Sequence, residues 1–327
     1  MSAPVEHGNA IDWRSLTSLP GKPGFYAHDS HFREGWLEAT AAWEGELAAC
    51  LRRTALVLFK VEAVAGRRVR PALELLAERG FAPVAALRVR YDANLYHTLY
   101  RYQLRRATLD KIRLYTRWAA GQPALLAAFA DLSLLPAVPA SVRLKSMKGH
   151  ALVARRSSGD LRSLLRSPNS IINFLHSADE PADVVREVPI FLAAGQRRGF
   201  LEAVRAADAD AGGSRLRRLL TRLERSVPEH DIDPRAAGHR LRAIAMSGCG
   251  PPVTAPGSQA AVAMLDAVLA GHERLDLYAL EGKLSSVLDR VAPLDVFTFG
   301  AEFIERDLAG VSGDLDDDCV PGWLSRP

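Results

Sequence analysis

Thr54-Ala-Leu-Val-Leu-Phe-Lys60 is a near-continuous apolar run closed by a lysine, the pattern of a strand buried on both faces. The residues after Lys60 set the architecture. From Arg67 to Arg79 apolar residues recur at Val69, Leu73, Leu76 and Ala77, which is helical spacing, and Arg79-Gly80 supplies a glycine stop. A second strand is predicted over Ala82–Val89, a Tyr- and Arg-rich helical region over Asn94–Trp118, and a third strand over Pro123–Phe129. A short helix over Ser141–Lys148 ends at Gly149, and a fourth strand is predicted over Ser170–Leu175. Pro181 opens a helix running to about Gln196, because proline in the first turn lacks only an N–H that has no helical partner anyway. Pro189 inside that helix is expected to kink or shorten it. The order β-α-β-α-β-α-β-α predicts an α+β fold, a ferredoxin-like split βαβ antiparallel sheet with helices.

Outward from this unit, residues 1–53 read as an irregular arm with Trp13, Phe25, Tyr26 and Trp36 as anchors, leading into a helix near 36–53. After Ala206-Ala-Asp-Ala-Asp-Ala-Gly-Gly213 the pattern turns to helices only, near Ser214–Arg225, Pro234–Met246, Ser258–Glu273, Leu275–Val291 and Ala301–Leu308. The expected organisation is an arm and helix at 1–53, a sheet domain at 54–205 and an all-α C-terminal domain at 214–327. The small residues of 205–213 would be the linker.

With 327 residues, 48% hydrophobic and 24% charged, the chain has globular composition, which argues against disorder throughout. No run approaches 18 apolar residues, and no basic flank with an apolar core opens the sequence, so neither a membrane span nor a secretory signal is expected and the expected location is cytoplasmic. Cys50, Cys249 and Cys319 are odd in number and far apart, which fits plain thiols better than a disulfide framework or a zinc site. Gly248-Cys249-Gly250-Pro-Pro252 reads as a turn, and the acidic stretch around Asp314 and Asp316–Asp318 as a solvated tail.

The net charge of +4 hides an asymmetry: residues 51–170 hold 22 Lys and Arg against 7 Asp and Glu, and residues 205–327 hold 14 against 19. The basic middle calls for an anion, whether nucleotide phosphates, nucleic acid or the acidic part of the same chain.

The chemistry-bearing stretch is Asn173-Phe-Leu-His176-Ser-Ala-Asp179, with Pro181 and Glu187 after it. It resembles the Asn-x-x-His-Gly-Ser-Asp motif of nucleoside diphosphate kinases, and Glu187 stands eleven residues after the histidine, as that family's glutamate does. Further landmarks occur in order over residues 54–195. Leu58-Phe-Lys60-Val-Glu-Ala resembles Val-Lys-Pro-Asp-Gly, Arg79-Gly80-Phe81 resembles Lys/Arg-Gly-Phe, and Gly121-Gln-Pro123 resembles the Gly-Pro opening the third strand. Lys145-Ser-Met147-Lys-Gly149 resembles Arg-x-Met-x-Gly, and Gly159-Asp-Leu-Arg162 resembles Gly-Thr-Ile-Arg.

The resemblance implies a transfer of phosphoryl from ATP or another nucleoside triphosphate with Mg²⁺ onto His176, with Glu187 accepting from the imidazole. It implies Lys60, Lys145 and Arg162 as phosphate cations, Tyr100 as the tyrosine that bonds the lysine, and Asn173 as a donor to a ribose hydroxyl or to the ordering of Lys60. No protein metal ligand is expected. The chemistry asks for these types: an attacking imidazole needs one bare nitrogen, a carboxylate on the other fixes that tautomer, and cations offset charge on the phosphoryl oxygens.

Val61-Glu62-Ala63 replaces Pro-Asp-Gly, Ala178 replaces the serine, Ala151 falls where a threonine is usual, and Tyr102 and Tyr115 are the candidates for the aromatic beside the base. The acceptor therefore need not be a nucleoside diphosphate. An alternative class is a nucleotide-binding regulatory or scaffold protein with a weakly active pocket; a basic nucleic-acid module ranks third. Expected partners are a nucleoside triphosphate and a small-molecule acceptor, with self-association into a homo-oligomer compatible and nucleic acid or membrane not expected. The other eight histidines show no constellation in the sequence, Tyr96 and Tyr100 have the spacing of a packed helix face, and Arg155-Arg156 reads as a solvated loop pair.

Overall fold

The computed structural model describes residues 11–133, 138–247, 256–315 and 318–326. The turn expected at Gly248–Pro252, and Asp316 and Asp317, lie outside the described residues. Four strands, β1 (Thr54–Phe59), β2 (Phe81–Arg90), β3 (Pro123–Asp131) and β4 (Leu175–Ser177), form one antiparallel sheet in the order β2-β3-β1-β4. That is the split βαβ arrangement expected from the sequence, with β1 and β3 central and buried along nearly their whole length. β2 bulges at Val84, beside Pro83, where an edge strand tolerates both a missing N–H and an extra residue.

The fourth strand lies later and is shorter than Ser170–Leu175. Residues 170–174 form a loop instead, in which the Asn169 side chain accepts from the backbone N–H groups of Ile171 (3.0 Å) and Ile172 (2.8 Å) and Phe174 turns left-handed at φ 64°. The side-chain bonds satisfy backbone donors that a sheet ladder would otherwise take. Pairing begins at Leu175, opposite Phe59, and sets His176 opposite Leu58.

Helices differ from expectation mainly in their breaks. The helix near 36–53 is two, Ser30–Ala42 and Leu47–Arg53, and the arm before them is itself helical at Trp13–Leu16 and Lys22–Tyr26. Asn94–Trp118 divides into Ala93–Leu99, Leu109–Arg113 and a wider π-helical turn at Leu114–Trp118. The Pro181 helix stops at Phe191, two residues past Pro189, and a separate helix covers Ala194–Ala206.

The small-residue stretch read as a linker is helical from Ala209, within Ala209–Ser226. Its glycines permit close approach: a Cβ at Gly212 would lie 2.4 Å from the Pro83 carbonyl oxygen and 2.5 Å from Val84 Cα. Three residues on, Arg215 Nε donates to the Ala86 carbonyl at 2.8 Å, so this helix occupies part of the open edge of β2.

One contiguous apolar core runs from Leu16 through the sheet to Ile304, joined to the later helices through Tyr115 and Phe297, whose rings stand edge-on at 5.6 Å. The charge asymmetry appears here as ion pairs between the basic middle and the acidic later part of the chain, Arg70 with Glu224 (2.6 Å), Lys111 with Asp307 (2.7 Å) and Arg113 with Glu281. Cys50 and Cys319 are free and buried. No described helix is long and apolar enough to cross a membrane.

Candidate functional site

β1 and β4 end side by side and bring the motif residues together. Lys60 leaves the end of β1, its N–H donating to the Phe174 carbonyl at 2.9 Å, while His176 sits on β4. The helix Pro181–Phe191 returns along β4 and carries Glu187 back to the histidine. His176 Nε2 lies 2.9 Å and 3.0 Å from the two Glu187 carboxylate oxygens. Its ring is flanked edge-on by Tyr100 (5.7 Å) and Phe191 (6.3 Å), and the side chain keeps 19% exposure. Nδ1 has no hydrogen-bond partner among the described residues. With Nε2–H donated to Glu187, Nδ1 carries the lone pair.

Lys145, expected as a phosphate cation, stands on the helix Ala140–Lys148 with Nζ 2.5 Å from Asp179 Oδ2. Lys148, passed over in the sequence, shares that carboxylate at 3.0 Å and donates to Ser177 Oγ at 2.8 Å. The two lysines are three apart and so lie on one helix face, a spacing that could have nominated the second with the first. Burial brings the Lys148 ammonium down to about 8, opposed by Asp179 and assisted by Arg162 and Lys145. For Asp179, burial would raise the carboxyl, but Lys145 and Lys148 more than reverse this and hold it well below the usual carboxylate range.

Arg162 is buried, donates to the carbonyls of Gly149 (2.7 Å) and Leu175 (3.5 Å), and leaves Nε without a partner. Burial, with Arg156 adding to it, lowers its guanidinium to about 10. Gly149 itself needs its glycine, since it ends the lysine helix at φ 84° and a Cβ would meet Asp160 at 2.5 Å.

Lys60, Asn173 and Tyr100 make contacts other than those the resemblance implies. Lys60 is wholly buried; its Nζ pairs with Glu62 Oε1 at 2.7 Å and donates to the Ile171 carbonyl at 2.7 Å, while burial lowers its pKa against the pull of Glu62. Asn173 Nδ2 donates to the Ser170 carbonyl at 2.8 Å, so it orders the loop before β4. Tyr100 contributes its ring to His176, and burial holds its hydroxyl above the ordinary tyrosine value. Tyr102 bonds Asp29 at 2.8 Å, and Tyr115 stacks on Tyr96 at 4.5 Å and donates to Ile171; both are buried. Arg156 is no solvated loop residue: it donates to the carbonyls of His150, Ala151, Ser167 and Asn169 and pins the loop that leads to Arg162.

Around the start of the Glu187 helix the two chain ends converge. The buried Glu180 carboxylate accepts from Thr17 Oγ1 (2.6 Å), the Ser18 N–H (2.6 Å), Lys22 Nζ (2.6 Å) and Trp323 Nε1 (2.7 Å). Asp183 accepts from Lys22, from Tyr26 Oη (2.5 Å) and from the Glu180 N–H (3.0 Å). One turn on, Arg186 donates to Asp29 and to the carbonyls of Thr98 and Leu99. This clasp fixes the Ser177–Glu180 loop and the direction of the helix.

A second histidine–carboxylate pair, His230 Nε2 with Asp295 at 2.9 Å, differs in that His230 Nδ1 also accepts from the Ile232 N–H at 3.0 Å. Neither of its nitrogens is open. Among the described residues no cluster of three or more His, Cys, Asp or Glu side chains could hold a metal ion. Asp179 is paired with Lys145 and Lys148, Glu187 with His176, and Glu62 with Lys60.

No known family model matches the chain, and no curated protein matches it. Among solved structures it is similar to the nucleoside diphosphate kinase of Aquifex aeolicus (14% identity over 43% of this chain and 96% of that one, TM-score 0.35). It is also similar to that of Borrelia burgdorferi with bound vanadate and ADP (17% identity, 44% and 88%, TM-score 0.35), and to that of Encephalitozoon cuniculi (12%, 43% and 88%, TM-score 0.35). Identities and scores this low assign neither an activity nor residues.

Proposed function

We propose that the chain is a phosphotransferase that accepts a phosphoryl group from a nucleoside triphosphate on His176 and passes it to an acceptor other than, or in addition to, a nucleoside diphosphate. The observation that carries this is the imidazole itself: both Glu187 oxygens hold Nε2, and Nδ1 is bare. Glu187 would stabilise the positive charge that develops on the ring as Nδ1 attacks phosphorus, and the nucleoside diphosphate would leave with the electrons of the broken P–O bond. Lys145, Lys148 and Arg162 would supply cations for the phosphoryl oxygens, the two lysines leaving Asp179 to do so. Any Mg²⁺ would be one carried by the phosphates of the substrate.

Incubation with γ-labelled ATP and Mg²⁺ tests the reading. Wild type should take up an acid-labile, base-stable label that His176→Ala lacks; full labelling of His176→Ala would remove it. A second reading, a nucleotide-binding regulatory protein with little turnover, is favoured by the Lys60–Glu62 pair, which keeps that cation from a phosphate, and by Ala178. It predicts nucleotide binding without label.

A further inference from the structure

A cleft of about 390 Å³ opens beside the candidate site, between the end of β2, the helix Ala93–Leu99 and the turn after Phe191. Arg88 and Arg90 line it from β2, two residues apart and therefore on one face of the strand. Neither guanidinium has a hydrogen bond or ion pair among the described residues. Nearby Arg186 is by contrast fully engaged with Asp29 and two carbonyls. His31 also lines the cleft, its Nδ1 turned to the Asp29 carboxylate at 3.6 Å. The acid present, Asp92, already accepts from the Leu95 N–H at 2.8 Å. Leu95, Ile190 and Phe191 add apolar side chains to the lining, beside the polar Asn94, Thr98 and Gln196.

We propose that this cleft is a binding site for a small organic phosphomonoester, distinct from the phosphate site at His176. Two unpaired guanidiniums on one strand face can each donate a charge-assisted bond to phosphate. Leu95, Ile190 and Phe191, with Asn94, Thr98 and Gln196 beside them, take the organic part. The volume lies within the range of about 300–1,000 Å³ typical of small-molecule sites. Occupancy would be felt at the histidine, because Phe191 lines the cleft and also packs against His176, and Tyr100, directly after the helix that forms another wall, flanks the same ring.

The test is calorimetric titration of the full chain with AMP and, separately, inorganic phosphate, on wild type, Arg88→Ala, Arg90→Ala and Arg162→Ala. Arg88 and Arg90 are exposed, so their loss leaves the fold intact. AMP should bind saturably, more tightly than inorganic phosphate, and lose about tenfold or more in affinity with either β2 variant. This binding should survive Arg162→Ala, whose residue belongs to the His176 site, so the outcome separates failure of this site from failure of the phosphotransferase reading. Absence of binding, indifference to Arg88 and Arg90, loss with Arg162→Ala alone, or equal affinity for inorganic phosphate would each overturn the proposal.

Discussion

Asp179→Asn keeps the shape of the side chain and removes the charge that two lysines share. Lys148 Nζ has 6% side-chain exposure and sits 3.0 Å from Asp179, and Lys145 sits 2.5 Å away. Removing one partner of a buried ion pair costs about 3–5 kcal/mol. Asp179 keeps 25% exposure, so solvent screens part of the field and the low end, about 3 kcal/mol at pH 7, is expected. The loss should depend on pH in a defined direction. Lys148 in the folded wild type titrates near 8, so as pH rises past that value the wild type loses the Lys148–Asp179 attraction as well. The variant's deficit should therefore shrink between pH 7 and pH 9, leaving the Lys145 contribution. Asp179→Asn combined with Lys148→Met removes the stranded cation and should recover most of the loss. Urea unfolding at the two pH values measures all of this. A deficit under about 1 kcal/mol, or one that is the same at both pH values, would refute the claim that Lys148 is held charged by Asp179.

Gly212→Val should destabilise by about 3 kcal/mol or more, because its Cβ would meet the backbone of Pro83 and Val84, whereas Gly213→Ala should be neutral or gain about 0.5–1 kcal/mol; thermal melts of the pair distinguish the two. Lys22→Met strands Glu180 and Asp183 and should cost about 3–5 kcal/mol at pH 7. Lys22 is raised above the ordinary lysine value, since its two carboxylates outweigh the effect of burial. Its contribution is then complete below pH 10.5 and fades as pH rises through the raised value, so alkaline unfolding should be less steep in Lys22→Met than in wild type.

The parts of the molecule legible in the sequence were those written in local pattern. The apolar run at β1 and the glycine stop at Gly80 each report a short stretch of backbone, and the structure places both as expected, while Glu187, eleven residues after His176, lies 2.9 Å from its ring. Ser170–Leu175 misled because Ile171 and Ile172 look like a strand, while the deciding residue, Asn169, acts by side-chain bonds to the backbone that apolar pattern does not register. Gly212-Gly213 read as a flexible linker because glycine serves both flexibility and close helix packing, and only the neighbouring Pro83 distinguishes the two uses. The clasp was out of reach for another reason: Thr17, Lys22, Glu180 and Trp323 meet across more than 140 residues of sequence, with no shared spacing. Lys60 shows the limit of a motif, since its position fits the pattern while Glu62, two residues on, takes its charge.

The most direct measurement is which ring nitrogen of His176 carries phosphate. Glu187 occupies Nε2, so ³¹P NMR or isomer-specific antibodies applied to the labelled protein should find phosphate on Nδ1, and Glu187→Gln should lower the yield without moving the position. Phosphate on Nε2 of His176 would contradict the account, because that nitrogen could react only after the bond to Glu187 had been broken.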